Sequence, residues 1–157
     1  MPATAFCLSP FGRIGLEEED GAITRLYLDV DPTPAAGRET ELLRRAFAQL
    51  EAYWQGHLQV FDLPLAPRGT DFMRRVWQEL RSVPYGQTAT YRDIAVAVGK
   101  PGACRAVGLA NHRNPIPIFI PCHRIIGQGG ALTGYRGGLN MKRALLDLEA
   151  GRVPPHV

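Results

Sequence analysis

The sequence predicts an α+β protein: a small antiparallel sheet with one covering helix, then a mainly helical half that holds a helix-turn-helix. Three observations predict it. Three short apolar stretches separated by tight-turn residues fill the first 28 positions, the pattern of a strand meander. From Glu39 onward, apolar residues recur at helical rather than alternating spacing. Two Pro- and Gly-rich stretches punctuate the chain, and at the second of them, near residue 67, the sign of the charge reverses.

The strands are expected at Ala3 to Leu8, Gly12 to Leu16 and Ala22 to Leu28, with turns at Pro10-Phe11-Gly12 and Glu19-Asp20-Gly21. Leu42, Leu43, Ala46, Phe47, Leu50, Tyr53 and Trp54 form one stripe, so a helix over Glu39 to Trp54 covers the sheet. The run Leu63-Pro64-Leu65-Ala66-Pro67-Arg68-Gly69 reads as a connection, which divides the chain into residues 1–67 and 68–157. Thr70 caps a helix bearing Phe72, Val76, Trp77 and Leu80, stopped by Pro84-Tyr85-Gly86. Thr90 caps the next, and Asp93 three residues on completes a capping-box variant. Gly99-Lys100-Pro101-Gly102 breaks that helix and another runs from Ala103 to His112, giving helix, tight turn, helix. Gly127-Gln128-Gly129-Gly130 and Gly134-Tyr135-Arg136-Gly137-Gly138 are expected as flexible loops, and Leu139 to Ala150 as a last helix ended by Gly151.

Charge is divided unevenly. Residues 1–67 hold five arginines against ten acids, a net of −5, whereas residues 68–157 hold thirteen Lys and Arg against five acids, a net of +8. Eleven of those thirteen are arginines, whose planar forks suit phosphate, so a polyanion such as nucleic acid is an expected partner. The three cysteines, Cys7, Cys104 and Cys122, have no paired spacing, which predicts free thiols in a reducing compartment. No N-terminal targeting pattern and no run of about eighteen apolar residues occurs, so a soluble cytoplasmic protein with no membrane partner is expected.

Pro121-Cys122-His123-Arg124, directly after the apolar run Ile116-Pro117-Ile118-Phe119-Ile120, sets a nucleophile beside a base. A thiol attacks as thiolate, and a neighbouring imidazole or guanidinium favours that form. On an extended strand the two side chains would point to opposite faces, so they cooperate only through a bend or a water. The competing reading is a buried, inert cysteine at a strand end. A third group must orient the imidazole, and Glu79, Asp71, Asp93, Asp147 and Glu149 are the carboxylates of the basic half. Spacing alone does not choose among them.

These residues, with Asn114-Pro115-Ile116-Pro117 before them and Gly134-Tyr135-Arg136-Gly137-Gly138 after, resemble the O6-alkylguanine-DNA alkyltransferase family. The resemblance runs from about Thr70 to Glu149 and takes in Val83-Pro84-Tyr85-Gly86, Thr90-Tyr91 and Arg105-Ala106-Val107-Gly108; residues 1–67 match the family only in layout. It implies a ribonuclease H-like first lobe and a winged helix-turn-helix second lobe. It also implies transfer of an alkyl group from O6 of a flipped guanine, with O4 of thymine as a further source, to the protein's own cysteine in a single turnover. Carried over by position, Cys122 would be the acceptor, His123 a base acting through water, and Glu149 the carboxylate that orients it. Asn114 would be a hinge tying the helix-turn-helix to the cysteine segment. Tyr91 would contact the phosphate beside the lesion and the guanine, and Arg105 would fill the space left in the duplex. Ala106, Gly108, Ala110 and Arg113 would belong to the DNA-facing surface, and Pro117, Tyr135, Arg136 and Arg124 to the substrate pocket, Arg124 bracing it from behind.

The implied partner is double-stranded DNA carrying O6-alkylguanine, met from the minor groove with little sequence preference by a monomer able to bind cooperatively. The protein would be cytoplasmic and nucleoid-associated when bound. No cofactor and no metal are expected: Cys7 and His57 are two scattered ligands where a structural zinc takes four. Two rival functions remain, a lesion sensor without transfer, which would not need Cys122, and a Cys-His-Glu hydrolase, which would not explain Arg105 or the basic half. Elsewhere bland roles are expected: core packing for Cys7, Cys104, Trp54 and Trp77, exposure for His112 and His156, and a solvated turn for Glu17-Glu18-Glu19-Asp20.

Overall fold

Strands β1 (Ala3–Ser9), β2 (Gly12–Glu19) and β3 (Ala22–Tyr27) form an antiparallel meander in the order β1-β2-β3. The computed structural model describes residues 2–152; His156 and its expected exposure lie outside them. Helix α1 (Glu41–Trp54) starts at Thr40, whose hydroxyl accepts from Leu43 N, and lays Leu43, Ala46, Leu50, Tyr53 and Trp54 on the sheet. The strand alternation buries Ala3 and Ala5, Ile14 and Leu16, and Leu26 against it.

The Glu17 to Asp20 run is not a solvated turn. Its three glutamates lie in β2, where Glu17 accepts from the Thr24 and Tyr27 hydroxyls, Glu18 from Thr40, and Glu19 pairs with Arg68. Pairing with both neighbours fixes the strand, and only Asp20, at φ 53°, enters the turn. The stretch around residue 65 is likewise docked: Ile23 N donates to Pro64 O and Ala66 N to Ile23 O, extending the sheet edge by one bridge.

The second half is built from α2 (Asp71–Arg81), α3 (Tyr91–Ala97), α4 (Cys104–His112) and α5 (Leu139–Glu149). Thr70 caps α2. At α3 the box is complete, with Asp93 N donating to Thr90 Oγ1 and Thr90 N to Asp93 Oδ2. Helices α3 and α4 pack together and on α2, where Trp77 Nε1 donates to Ala110 O at 2.7 Å and the ring is buried. A two-residue parallel pair, β4 (Ala89–Thr90) with β5 (Ile125–Ile126), stands where a wing would be. Gly127–Gly130 is not a free loop but contains a short 3-10 turn at Gln128–Gly130. No helix among the described residues is long and apolar enough to cross a membrane.

Candidate active site

The apolar run before the cysteine folds as a tight turn rather than a strand. Ile120 N donates to Ile116 O at 2.9 Å, and Ile118 takes φ 76°, a left-handed conformation that costs a β-branched residue free energy and persists only where its surroundings enforce it. The enforcing contacts are visible. Asn114 Oδ1 accepts from Ile116 N at 3.0 Å and its Nδ2 donates to Ile120 O at 2.8 Å, so one fully buried amide clamps both ends of the turn. From Pro121 the chain enters a 3-10 turn, Cys122–Arg124, which resolves the opposite-face problem by rotating consecutive side chains through less than half a circle.

His123 and Glu149 are buried together, His123 Nε2 lying 2.7 Å from Glu149 Oε2. Arg124 donates from Nε to Oε1 at 2.7 Å, from Nη2 to Oε2 at 3.0 Å and from Nη1 to Val83 O at 2.7 Å. Asp147, two residues before Glu149, instead faces outward and pairs with Arg152. These donors hold the Glu149 carboxyl at about 2 although burial opposes ionisation. An ionised Glu149 accepts the proton on His123 Nε2, leaving Nδ1 as the free acceptor; Nδ1 is buried and has no protein partner. Burial, partly offset by Glu149, lowers the His123 pKa, and burial raises that of Cys122 against the pull of Asn114, Arg136 and Lys142. At neutral pH the resting pair is therefore thiol and neutral imidazole, poised for a proton to move from one to the other.

Cys122 opens on a small pocket lined by Asn111, Asn114, Pro117, Tyr135 and Arg136, with His112 at its exposed rim. Its free volume is about 10 Å³, space for roughly one water. The Tyr135 hydroxyl and Asn111 Oδ1 are buried there without protein partners. A larger cavity of about 160 Å³ lies behind Arg124, but Cys122 does not face it. The Gly134–Gly138 loop over the pocket is tied down rather than free: Arg136 Nη1 donates to Asn114 O at 2.9 Å and Nε lies 3.2 Å from Asp31 Oδ1. The pairing with Asp31 is ionic and poorly aligned for a hydrogen bond, since Nε and Nη2 find no acceptor in good geometry. Gly137 permits this docking, because a Cβ there would stand 2.6 Å from Met141 Sδ and 3.3 Å from Leu28 Cδ1.

Two expected placements are corrected. Ala110 is fully buried on the inner face of α4, toward α2, so it cannot meet DNA; Arg105, Ala106, Leu109 and Arg113 are exposed on the outward face, with Gly108 half-buried beneath the Tyr91 ring. Arg124 does not line the pocket, since its guanidinium is consumed by Glu149 and Val83. Tyr91 opens α3 and bonds Thr133 through its hydroxyl. Cys7 and Cys104 are half-buried against the core, as free thiols. Two residues escaped the sequence reading. Lys142 is completely buried with Nζ donating to Thr133 O at 3.1 Å, and Tyr53 of α1 donates its hydroxyl to Glu149 Oε2 at 2.5 Å. The signal for Lys142 was its place on the buried stripe of α5 with Leu145 and Glu149; for Tyr53 nothing in the stripe distinguishes a packed ring from a donating one.

Residues 71–151 match the family described as 6-O-methylguanine DNA methyltransferase, DNA binding domain. A Mycobacterium bovis methylated-DNA–protein-cysteine methyltransferase is 59% identical over 150 residues, 93% of this chain and 91% of that one. A Bacillus subtilis constitutive methylated-DNA–protein-cysteine methyltransferase is 45% identical over 150 residues, 90% of this chain and 91% of its own. The fold is similar to the crystal structure of Mycobacterium tuberculosis OGT in complex with DNA, with TM-score 0.90 and 46% identity over 97% of this chain and 95% of that one.

Proposed function

Because the chain belongs to the O6-methylguanine DNA methyltransferase family, we propose that Cys122 accepts the alkyl group that this DNA repair protein removes from guanine O6. The observation that carries the assignment is Cys122 at the floor of the pocket, beside a histidine whose free Nδ1 is backed by a buried, ionised Glu149. DNA is the partner.

The chemistry follows from those groups. A water links Cys122 Sγ to His123 Nδ1 and carries the thiol proton to the imidazole, while Glu149 stabilises the imidazolium that results. Sulfur attacks the alkyl carbon in line, so that the S–C bond forms as the C–O6 bond breaks and the electron pair goes to O6. There the Tyr135 hydroxyl and the Arg136 backbone N–H receive it, and the proton held on His123 returns to the restored guanine through water. A thioether has no ready route back to the thiol, so each molecule acts once. Thymine O4 offers the same leaving group.

The target carbon is inaccessible inside a duplex, so the nucleotide is flipped out at a cost of a few kcal/mol, smaller for a weakly paired lesion. Arg105 fills the gap, Tyr91 meets the flanking phosphate and the base, Arg113 binds backbone phosphate, and Ala106 with Gly108 lets α4 approach the minor groove closely. Asn114 hinges the helix-turn-helix to the cysteine turn. Reading backbone and lesion rather than sequence suits a monomer, able to bind cooperatively, that patrols cytoplasmic, nucleoid DNA. Residues 1–67 and 68–157 act as two lobes of this machine.

The test is peptide mass spectrometry after mixing equimolar protein with a duplex carrying one O6-methylguanine, beside Cys122→Ala. One methyl on the Cys122 peptide, guanine restored and no second turnover is the expected result. Binding without transfer would make the protein a lesion sensor, and loss of both would restore the hydrolase reading.

A further inference from the structure

The alkyl-transfer relay is drawn from residues 122–149, yet one of its hydrogen bonds comes from the opposite end of the chain. Tyr53 lies on the last turn of α1, fully buried, within an aromatic cluster in which its ring is edge-on to Trp54 and Tyr85 and tilted against Phe61. Its hydroxyl reaches Glu149 Oε2, the same oxygen that takes His123 Nε2. Any buried phenol must find an acceptor; one that ends on the carboxylate orienting a catalytic base also changes that carboxylate.

We propose that Tyr53 is a positioning residue of the relay: its hydroxyl fixes Glu149 Oε2 against His123 and limits how strongly that oxygen pulls on the imidazole. The inference rests on the alkyl-transfer reading above. Oε2 distributes its charge among three donors, Tyr53, His123 and Arg124, while Oε1 serves Arg124 alone. Each donor removed concentrates the carboxylate charge on those that remain. Without the phenol, Oε2 draws more on His123, the imidazolium becomes more stable, and the base becomes blocked by its own proton at a higher pH. Burial already holds the Tyr53 hydroxyl protonated, its pKa pushed well up, so it remains a donor throughout the working range. The other charged or titratable groups facing the pair are Arg124 and Cys122 on the 3-10 turn, Lys142 on α5, Tyr85 after α2, and Tyr135 and Arg136 on the pocket loop. None of them is altered by Tyr53→Phe.

The experiment is the single-turnover rate of methyl transfer from O6-methylguanine duplex to Cys122 between pH 5 and 9. It is run on the full chain for wild type, Tyr53→Phe, and a protein with 3-fluorotyrosine at position 53, each checked for an unchanged circular dichroism spectrum. Phe keeps the ring and loses only the donor, whereas the fluorinated phenol donates more strongly. The expected result is an acid limb moved upward by about half to one pH unit in Tyr53→Phe, hence a rate about 3- to 10-fold lower below the limb. The fluorinated protein should shift the opposite way. Three superimposable profiles, or a uniform drop at every pH, would reduce Tyr53 to packing and overturn the proposal. Failure of wild type itself to transfer methyl would instead overturn the functional reading.

Discussion

Glu149 illustrates what a single residue carries. Its side chain is 1% exposed and its negative charge is matched by the Arg124 guanidinium, so the pair stands only while both members remain. Glu149→Gln keeps the shape and removes the charge, leaving Arg124 buried without a counterion; a loss of about 3 to 5 kcal/mol in urea unfolding is expected, together with slowed methyl transfer. The pH dependence has a definite sign. A carboxyl held at about 2 in the fold but near 4.5 in the unfolded chain contributes stability that is fully present above pH 4.5 and lost as the pH falls toward 2. His123, buried neutral, adds a loss that begins higher, as the unfolded imidazole takes its proton near 6.5. Stability measured from pH 7 to 2 should therefore fall in both windows for wild type, and Glu149→Gln should lack the lower one. At this scale the sequence was partly legible. Adjacent Cys122 and His123 announce nucleophile and base by type alone, but the choice of Glu149 over Asp147 came from resemblance, and burial decided it. Lys142 and Tyr53 were hidden because a helical stripe reports that a side chain points inward and not what its polar end meets there. Ala110 was misplaced for the same reason: a small residue on a short helix fits either face.

Among the elements, the helices were the most legible, because caps and periodicity are local. Thr70 and Thr90 cap where hydroxyl and spacing indicated, Thr90 with Asp93 making the full box, whereas α1 starts at Glu41 behind a Thr40 cap, two residues later than its apolar stripe suggested. Thr90→Ala should cost about 1 kcal/mol in denaturant unfolding, since it strips the Asp93 backbone N–H of its acceptor at the start of α3 while touching no pocket residue. Transfer kinetics should change far less than stability does. The misread elements are those fixed by distant partners. Four acids in a row resemble a solvated turn, but β1 and β3 on either side hold three of them in a strand, and hydroxyls from Thr24, Tyr27 and Thr40 occupy their oxygens. Ile116 to Ile120 has the composition of a strand, yet Asn114 bends it into a turn that includes a strained Ile118. No local propensity predicts a left-handed isoleucine; the Asn114 clamp and the burial of its side chain impose it.

Across the whole molecule the two halves differ in charge but not in packing. Leu26 N on β3 donates to Pro115 O, Arg136 leans on Asp31, and Tyr53 enters the relay, so the boundary read near residue 67 marks a change of surface rather than a gap in the core. Composition could reveal the charge; it could not reveal the shared core, which depends on contacts such as that of Tyr53 with Glu149, 96 residues apart. The net of −5 and +8 has a measurable consequence. Acids crowd the half that carries the sheet, and Arg92, Arg105 and Arg113 stand exposed on the helix-turn-helix, so duplex should bind through that half alone and its affinity should fall steeply with salt. On the phosphate role proposed for it, Arg113→Ala should weaken lesion-bearing and undamaged duplexes by the same factor and flatten the slope of log K against log salt by about one. Arg105→Ala should behave differently, because an arginine that fills the space of a flipped nucleotide helps only where one is flipped; its loss should shrink the preference for O6-methylguanine duplex over undamaged duplex and leave non-specific affinity nearly intact. Binding isotherms for both duplexes at several salt concentrations separate the two arginines, and equal effects of Arg105→Ala on both would make it a phosphate contact like Arg113.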